Sequence, residues 1–461
     1  MITVSNVITI DNPSRELLSW CTKNLRLRNP EYDKKLRMHF WVGKTPEFLY
    51  LYEIHGDQLI LPFGTLRNIY PMVNVDDIKT DFQMPKAIDY GCEVPLYDYQ
   101  EKAVEEVYWK RYGILQSPAG SGKTQMGIAL IAKLGKRALW LTHTKDLLTQ
   151  SKDRAKQYMG EALLGTITEG KVNIGKGITF ATVQTMCNLD LAQYKNMWDV
   201  IIVDECHRVA GTPTSVSQFS KVLNSLAARH KYGLTATVHR SDGLIKATFA
   251  LIGDVIYAVP QEAVADKILK VGICPIPTGI GVSRKCQNPD GTVNHARMIN
   301  YLCESPERNK LITECITANR DMPSLILSDR LEHLETLMSM LPADMREDAV
   351  MVSGKMTTKK GKAEREQAIA DMRSGAKTYL FATYSLAKEG LDVPCLERLY
   401  MATPHKDFAV ITQSVGRIAR TAKGKADPVV YDFVDAIPHL ANAYKKRCTT
   451  YRKNGCYFVE R

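Results

Sequence analysis

The sequence predicts an α/β protein built from two tandem parallel-sheet domains, preceded by a small α+β module. Three observations predict it. At 461 residues the chain is longer than one hydrophobic core supports, so two or three domains are expected. Short apolar runs alternate with helical stretches in two separate windows, 95–260 and onward from 305, as strands buried on both faces of a helix-wrapped sheet do. The composition, 45% hydrophobic and 24% charged, is that of a folded globular chain, so disorder is not the default.

Residues 1–92 mix short alternating runs such as Phe48–Ile54 and Gln58–Pro62, which read as strands of a small module. In the first window the buried-strand runs begin at Gly113, Ala138, Ile178, Val200 and Tyr232. In the second they begin at Ser324, Ala349, Thr378, Arg398 and Val429. Between the windows, Pro275 to Asn294 is rich in Gly and Pro and reads as a loop or insertion. The expected boundaries are an N-terminal accessory module at 1–92, a first parallel-sheet domain at 93–260, a second at 261–440 and a basic tail at 441–461.

Lys and Arg number 61 against 50 Asp and Glu, a net charge of +11 that favours polyanionic partners. The 11 cysteines form no CxxC pair, which argues against a zinc site or disulfide framework and for free thiols in a reducing compartment. The opening residues lack a basic stretch followed by a long apolar run, and no window approaches 18 uninterrupted apolar residues. A soluble, cytoplasmic protein without membrane contact is expected.

Ser117-Pro118-Ala119-Gly120-Ser121-Gly122-Lys123-Thr124 follows a predicted strand and opens a helix near Lys123. Gly120 and Gly122 let backbone N–H groups curl around a phosphate, at a helix terminus that favours negative charge. Lys123 can reach the β- and γ-phosphates of ATP, and the Thr124 hydroxyl can ligate Mg²⁺. The usual pattern opens with Gly, where this one has Ser117. Downstream, the apolar run from Val200 ends in Asp204 and Glu205, placed where doubly wound sheets hold their ligands. Asp204 can hold Mg²⁺ and Glu205 can deprotonate the attacking water. In the second window, Gln413, Arg417 and Arg420 lie in a predicted helical stretch, with the two arginines on one face. Paired guanidiniums can grip a γ-phosphate, and such a finger contributes roughly 10³–10⁵ in turnover in other phosphate-cleaving enzymes.

In order and spacing these motifs resemble the superfamily 2 DExH helicases, whose core is two RecA-like domains. The resemblance covers about residues 95 to 435, and the layout is similar to the XPB-like branch and the phage UvsW-type branch-migration helicases. It implies that Gln100 reads adenine, and that His207 and Thr235-Ala236-Thr237 couple hydrolysis to movement. It further implies that Thr144, Thr182, Gln184, Thr185, Ser328, Arg330 and Thr383 track a strand's backbone, and that Gly390 and Asp392 serve nucleotide. Arg240 opens an element similar to the XPB-type Arg-Glu-Asp, with Ser241 in place of Glu. Tyr97 stands where relatives often have Arg.

Residues 23–44 carry seven Lys or Arg against two acids, with Phe40 and Trp41 nearby, so Lys34, Lys35 and Arg37 are candidate nucleic-acid contacts. The C-terminal Lys445, Lys446, Arg447, Arg452 and Lys453 are candidates either for phosphate contact or for a solubilising tail. The function expected is a DNA helicase or translocase for duplex and branched DNA in replication, recombination or repair, acting as a monomer with ATP and Mg²⁺. An RNA helicase and the motor subunit of a larger DNA-processing complex are the alternatives, because the core would hold backbone rather than bases.

Overall fold

The computed structural model describes residues 1–460 except 84–85, 239–242, 265–267, 355, 357, 389–390, 392, 423 and 426. Arg240, Gly390 and Asp392 therefore lie outside the described residues. The chain forms two compact units, Met1–Pro118 with Gly122–Pro260, and Gln261–Arg461 with the short segment Ala119–Ser121.

Val200–Asp204 shows why the first unit's main sheet forms. Its sequence is mostly β-branched and all five residues are buried, as a strand covered on both faces requires. Among the described residues this sheet runs in the order Lys171–Asn173, Leu164–Thr168, Ile178–Thr182, Ala138–Thr142, Val200–Asp204, His230–Thr235, Tyr112–Gln116 and Val255–Ala258. Every pairing is parallel except the hairpin joining Leu164–Thr168 to Lys171–Asn173. Tyr112–Gln116 lies beside His230–Thr235, yet the next strand in sequence, Ala138–Thr142, sits beyond Val200–Asp204. That reversal leaves a crevice at the strands' carboxyl ends. The register pairs Thr235 with Gln116 and Asp204 with Leu234, so the three strand ends are nearly level.

The N-terminal module is a second, mixed sheet ordered Glu53–His55, Gln58–Pro62, Val7–Asp11, Ile2–Val4 and Ile78–Thr80, with a separate hairpin Arg26–Arg28/Phe48–Tyr50. Its core residues Ile8, Leu17, Cys21 and Leu59 are continuous with Tyr112, Val216, Ala247 and Ala250 of the parallel-sheet domain. Gly64 makes the closest approach. A Cβ there would lie 2.5 Å from Gly253 N and 2.6 Å from Ala250 O, so any side chain would force the two layers apart.

The second unit's sheet is parallel throughout, in the order Ala349–Val352, Tyr379–Thr383, Ser324–Ser328, Arg398–Met401, Val429–Val434, Gly272–Pro277 and Tyr457–Phe458 among the described residues. Two tandem RecA-like parallel-sheet domains are thus present, as expected. Two local expectations are corrected. The segment read as a loop from Pro275 begins inside a strand, Gly272–Pro277. Pro275 and Pro277 are tolerated because the outer neighbour, Tyr457–Phe458, pairs only with Gly272 and Ile273 and leaves the rest of that edge open. Residues from 441 are not a tail. They continue a helix, Pro438–Lys453, that buries Leu440, Arg447, Thr450 and Tyr451, and then supply the edge strand. No helix among the described residues is long and apolar enough to cross a membrane, and all eleven cysteines are free thiols.

Candidate nucleotide and nucleic-acid sites

The phosphate loop is shaped by its glycines. Gly120 and Gly122 take φ of +83° and +79°, a region that side chains resist, and the helix Lys123–Leu134 starts directly afterwards. Ser117 N–H donates to Thr235 O at 2.9 Å, tying the loop to the neighbouring strand end. Lys123 Nζ curls back toward Ser117 O and Pro118 O at 3.5 and 3.4 Å. These neutral acceptors leave the ammonium available to receive a phosphate. Gln100 is buried and accepts from Tyr97 N–H at 2.9 Å. The Gln100 amide lies directly over Gly122, against the loop.

The carboxylates stand at the adjacent strand end. Asp204 is buried and accepts from Glu205 N–H at 2.9 Å and from the Ser151 hydroxyl at 3.2 Å. Burial and then the neighbouring Glu205 charge push its carboxyl up to about 6, with Lys123 opposing. A buried acid held in this tension beside a lysine fits a divalent cation. Glu205 sits in the left-handed region at φ +47°, an uncommon conformation for a side-chain-bearing residue and typical of functional sites. Its Oε2 lies 3.3 Å from His207 Nδ1. His207 Nδ1 also meets Thr235 Oγ1 at 3.0 Å, and Thr235 donates onward to Thr237 O at 2.8 Å. Since the Thr235 proton is directed to Thr237, His207 carries its own proton on Nδ1. Glu205, His207, Thr235 and Thr237 therefore lie in one line of close polar contacts, hydrogen-bonded from His207 onward, with Ala236 at its turn. Sequence reasoning missed Ser151, a serine inside the helix Lys145–Met159, because nothing local marks it as an aspartate partner.

In the second unit, the helix Phe408–Ile418 is capped by Asp407, which accepts from Val410 N–H at 3.0 Å. Gln413 is buried, and its side-chain oxygen meets no donor among the described residues. Arg417 occupies the last turn. Arg420 does not share its helical face, contrary to expectation. The helix ends at Ile418, and Arg420 forms an isolated antiparallel bridge with Ile268 while Leu269 N–H bonds Ala419 O at 2.8 Å.

The strand-tracking candidates are bound into the fold locally. Thr144 caps the helix Lys145–Met159 by accepting from Leu147 N–H at 3.4 Å. Thr182 donates to Thr185 at 3.0 Å, and Gln184 donates to His143 O at 3.0 Å. Thr383 lies 3.0 Å from the Ser385 hydroxyl. Ser328 accepts from Arg330 N–H at 3.1 Å and meets His333 Nδ1 at 3.0 Å. His333 Nε2 faces Asn309 Oδ1 at 2.9 Å, while Asn309 donates to Cys303 O. His333 thus carries its proton on Nε2, and the Ser328 proton points to Nδ1 rather than outward. Arg330 is held by Asn300 at 2.8 Å. Lys34 is exposed, Lys35 donates to Thr45 at 2.6 Å, and Arg37 donates to Asp33 O at 3.3 Å. Arg447 is buried against Asp432 at 2.8 and 2.9 Å, so it is a core residue rather than a phosphate contact.

The family described as "Type III restriction enzyme, res subunit" matches residues 93–240, and the "Helicase conserved C-terminal domain" matches residues 307–422. A putative ATP-dependent RNA helicase of Acanthamoeba polyphaga mimivirus is 26% identical over 354 residues, 76% of this chain and 65% of the relative. A DNA 3'-5' helicase XPB of Kineococcus radiotolerans is 25% identical over 358 residues, 72% of this chain and 58% of the relative. The chain thus spans less than two thirds of the length of both. Among solved structures, Saccharomyces cerevisiae Dbp5 bound to RNA and ADP BeF3 superposes with a TM-score of 0.55 at 18% identity, over 87% of this chain and 94% of that one. With a phosphate loop, an Asp-Glu-Cys-His strand end and a second parallel-sheet domain following in that order, and with both helicase regions matched, this chain belongs to the superfamily 2 helicases and is related to the XPB-like members.

Proposed function

We propose that the chain hydrolyses ATP to move along nucleic acid, as a DNA helicase or translocase that unwinds or branch-migrates duplex and branched DNA. The line of contacts from Glu205 past His207 and Thr235 to Thr237 carries this reading. Glu205 is the group that would take the proton of the attacking water. A change in its charge is felt at the His207 proton and so in the Thr235–Thr237 turn, which links the chemistry to the backbone beyond the strand end. Thr124 and Asp204 would hold Mg²⁺, which supplies positive charge to the phosphates when bound. Lys123 adds charge from the loop. Lys34, Lys35 and Arg37 extend the basic surface for duplex on the N-terminal module. An RNA helicase is the second reading, supported by the printed name of the mimivirus relative.

ATP turnover measured with matched DNA and RNA strands, forks and four-way junctions tests the proposal. Stimulation by DNA, greatest on branched substrates, is expected. Stimulation by RNA alone would move the assignment to the second reading, and none by any strand would overturn both. Neutralising Lys34, Lys35 and Arg37 should flatten the salt dependence of duplex binding by roughly 0.9 in slope per lost phosphate contact.

A further inference from the structure

Trp41 is 87% exposed, the most exposed of the large apolar side chains. It stands on the loop after the helix Pro30–Arg37, next to Phe40 at 59% and Met38 at 49%. Its ring lies against Gly43. A Cβ there would come within 3.0 Å of the ring, and the φ of +54° also asks for glycine. Beside it opens a cavity of about 620 Å³, lined by Lys35, Trp41, Lys44 and Thr45 of the module and by Thr214 and Ser217 of the helix Pro213–Ser225.

The local charge is positive. Glu31, which also lines the cavity, is faced by Lys35 at 3.8 Å, and Arg28 takes up Asp33 and Glu47. Among the described residues Lys44, which lines the cavity, has no carboxylate partner, which leaves a lysine charge beside an aromatic plate. That pairing suits a nucleotide within a strand, because stacking tolerates any base and lysine holds the phosphate. The volume is within the usual range for a small-molecule site. The cavity also adjoins the candidate strand path. The helix Pro213–Ser225 is joined to the turn Val183–Cys187 by Cys187 Sγ to Gln218 O at 3.2 Å and by Lys221 Nζ to Cys187 O at 2.7 Å, and that turn carries Gln184 and Thr185.

We propose that this cavity receives one unpaired nucleotide of DNA at a single-strand–duplex junction, with the base stacked on Trp41 and the phosphate held by Lys44. The inference rests on the motor reading above and names the part of the substrate this surface selects.

The test places 2-aminopurine at successive positions across the junction of a DNA fork and follows its emission, with fork affinity read by anisotropy on the full chain. One position should change emission on binding. Trp41→Ala should abolish that change and weaken fork binding roughly tenfold, the size of one lost base stack, and Trp41→Phe should retain most of both. Lys44→Gln should weaken binding and reduce its salt dependence. Blunt duplex, which offers no unpaired base, should be bound equally by all. Trp109→Ala, removing another exposed indole, serves as the control and should match the wild type. Unaltered fork affinity and emission in Trp41→Ala overturn the pocket, and an effect confined to a matched RNA fork overturns its assignment to DNA. Failure of the wild type to bind any fork sinks the motor reading instead.

Discussion

In the first parallel-sheet domain, buried acid at the strand ends is kept under electrostatic tension. Asp204 and Glu205 are neighbours in sequence, and burial with the adjacent charge pushes Asp204 upward. In the second domain, buried acid is clamped. Arg308 meets Asp435 at 2.8 and 3.3 Å, and Arg447 meets Asp432 at 2.8 and 2.9 Å, with Tyr451 adding a bond to Asp432 at 2.9 Å. The two sheets share an architecture, so fold does not explain the difference. A carboxylate held unfavourably at a strand end waits for a cation or a proton, whereas a bidentate arginine pair is already satisfied. Chemistry is therefore expected at the first set of strand ends and rigidity at the second.

Removing the acid from the first domain and a clamping arginine from the second sharpens that contrast. Glu205→Gln should lower ATP turnover by roughly 10²–10⁴-fold, the usual contribution of a general base, while strand binding persists. Full turnover in a nucleic-acid-stimulated assay would refute the role given to Glu205. Arg447→Ala should do the converse. It strands Asp432 in the core, and one broken buried pair costs about 3–5 kcal/mol. Hydrogen exchange along Val429–Val434 measures the loss. All five tryptophans lie between residues 20 and 198, so their emission follows the first unit alone and its unfolding midpoint should stay in place. Protection unchanged in Val429–Val434 would show that the clamp is not structural.

How much of this was legible in the sequence follows the same division. The phosphate loop and the Asp204–His207 segment could be read because their ligands are consecutive in the chain and sit at the ends of strongly apolar runs. The buried strands could be read because a strand covered on both faces has few alternatives to Val, Ile and Leu. Arg447 could not, since its partner Asp432 lies on a separate strand and a Lys- and Arg-rich helix looks like solvent-facing sequence. Arg420 was misplaced because a motif pattern continues smoothly past the point where the helix stops. Ser328 is the reverse case. A hydroxyl in a matching motif suggests a phosphate contact, yet His333 and Asn309, which fix its proton, belong to neighbouring helices and carry no signal of their own.

The last predicted effect, spread over about three pH units, concerns a charge in the first unit that is neither clamped nor catalytic. Lys231 is buried where the N-terminal module meets the parallel-sheet domain, with its ammonium donating to Asn6 O at 3.2 Å and Leu223 O at 2.9 Å and lying 4.8 Å from the Phe63 ring centre. Carbonyls and a ring face are weaker counterparts than a carboxylate, and burial lowers this lysine to about 7. The unfolded chain keeps the proton up to the ordinary lysine range, so between about pH 7 and 10 the unfolded state binds more protons than the folded one. Stability contributed by this group must therefore rise with pH across that window, by up to about 1.4 kcal/mol per unit, and be flat below it. Lys231→Met keeps the volume and removes the titration. Urea midpoints followed by tryptophan emission should converge or cross for the two proteins as pH rises from 7 to 10, with the wild type gaining on the variant throughout. Parallel curves would mean that the ammonium stays charged in the folded state, and that this domain, too, holds its buried cation as securely as the second holds its arginines.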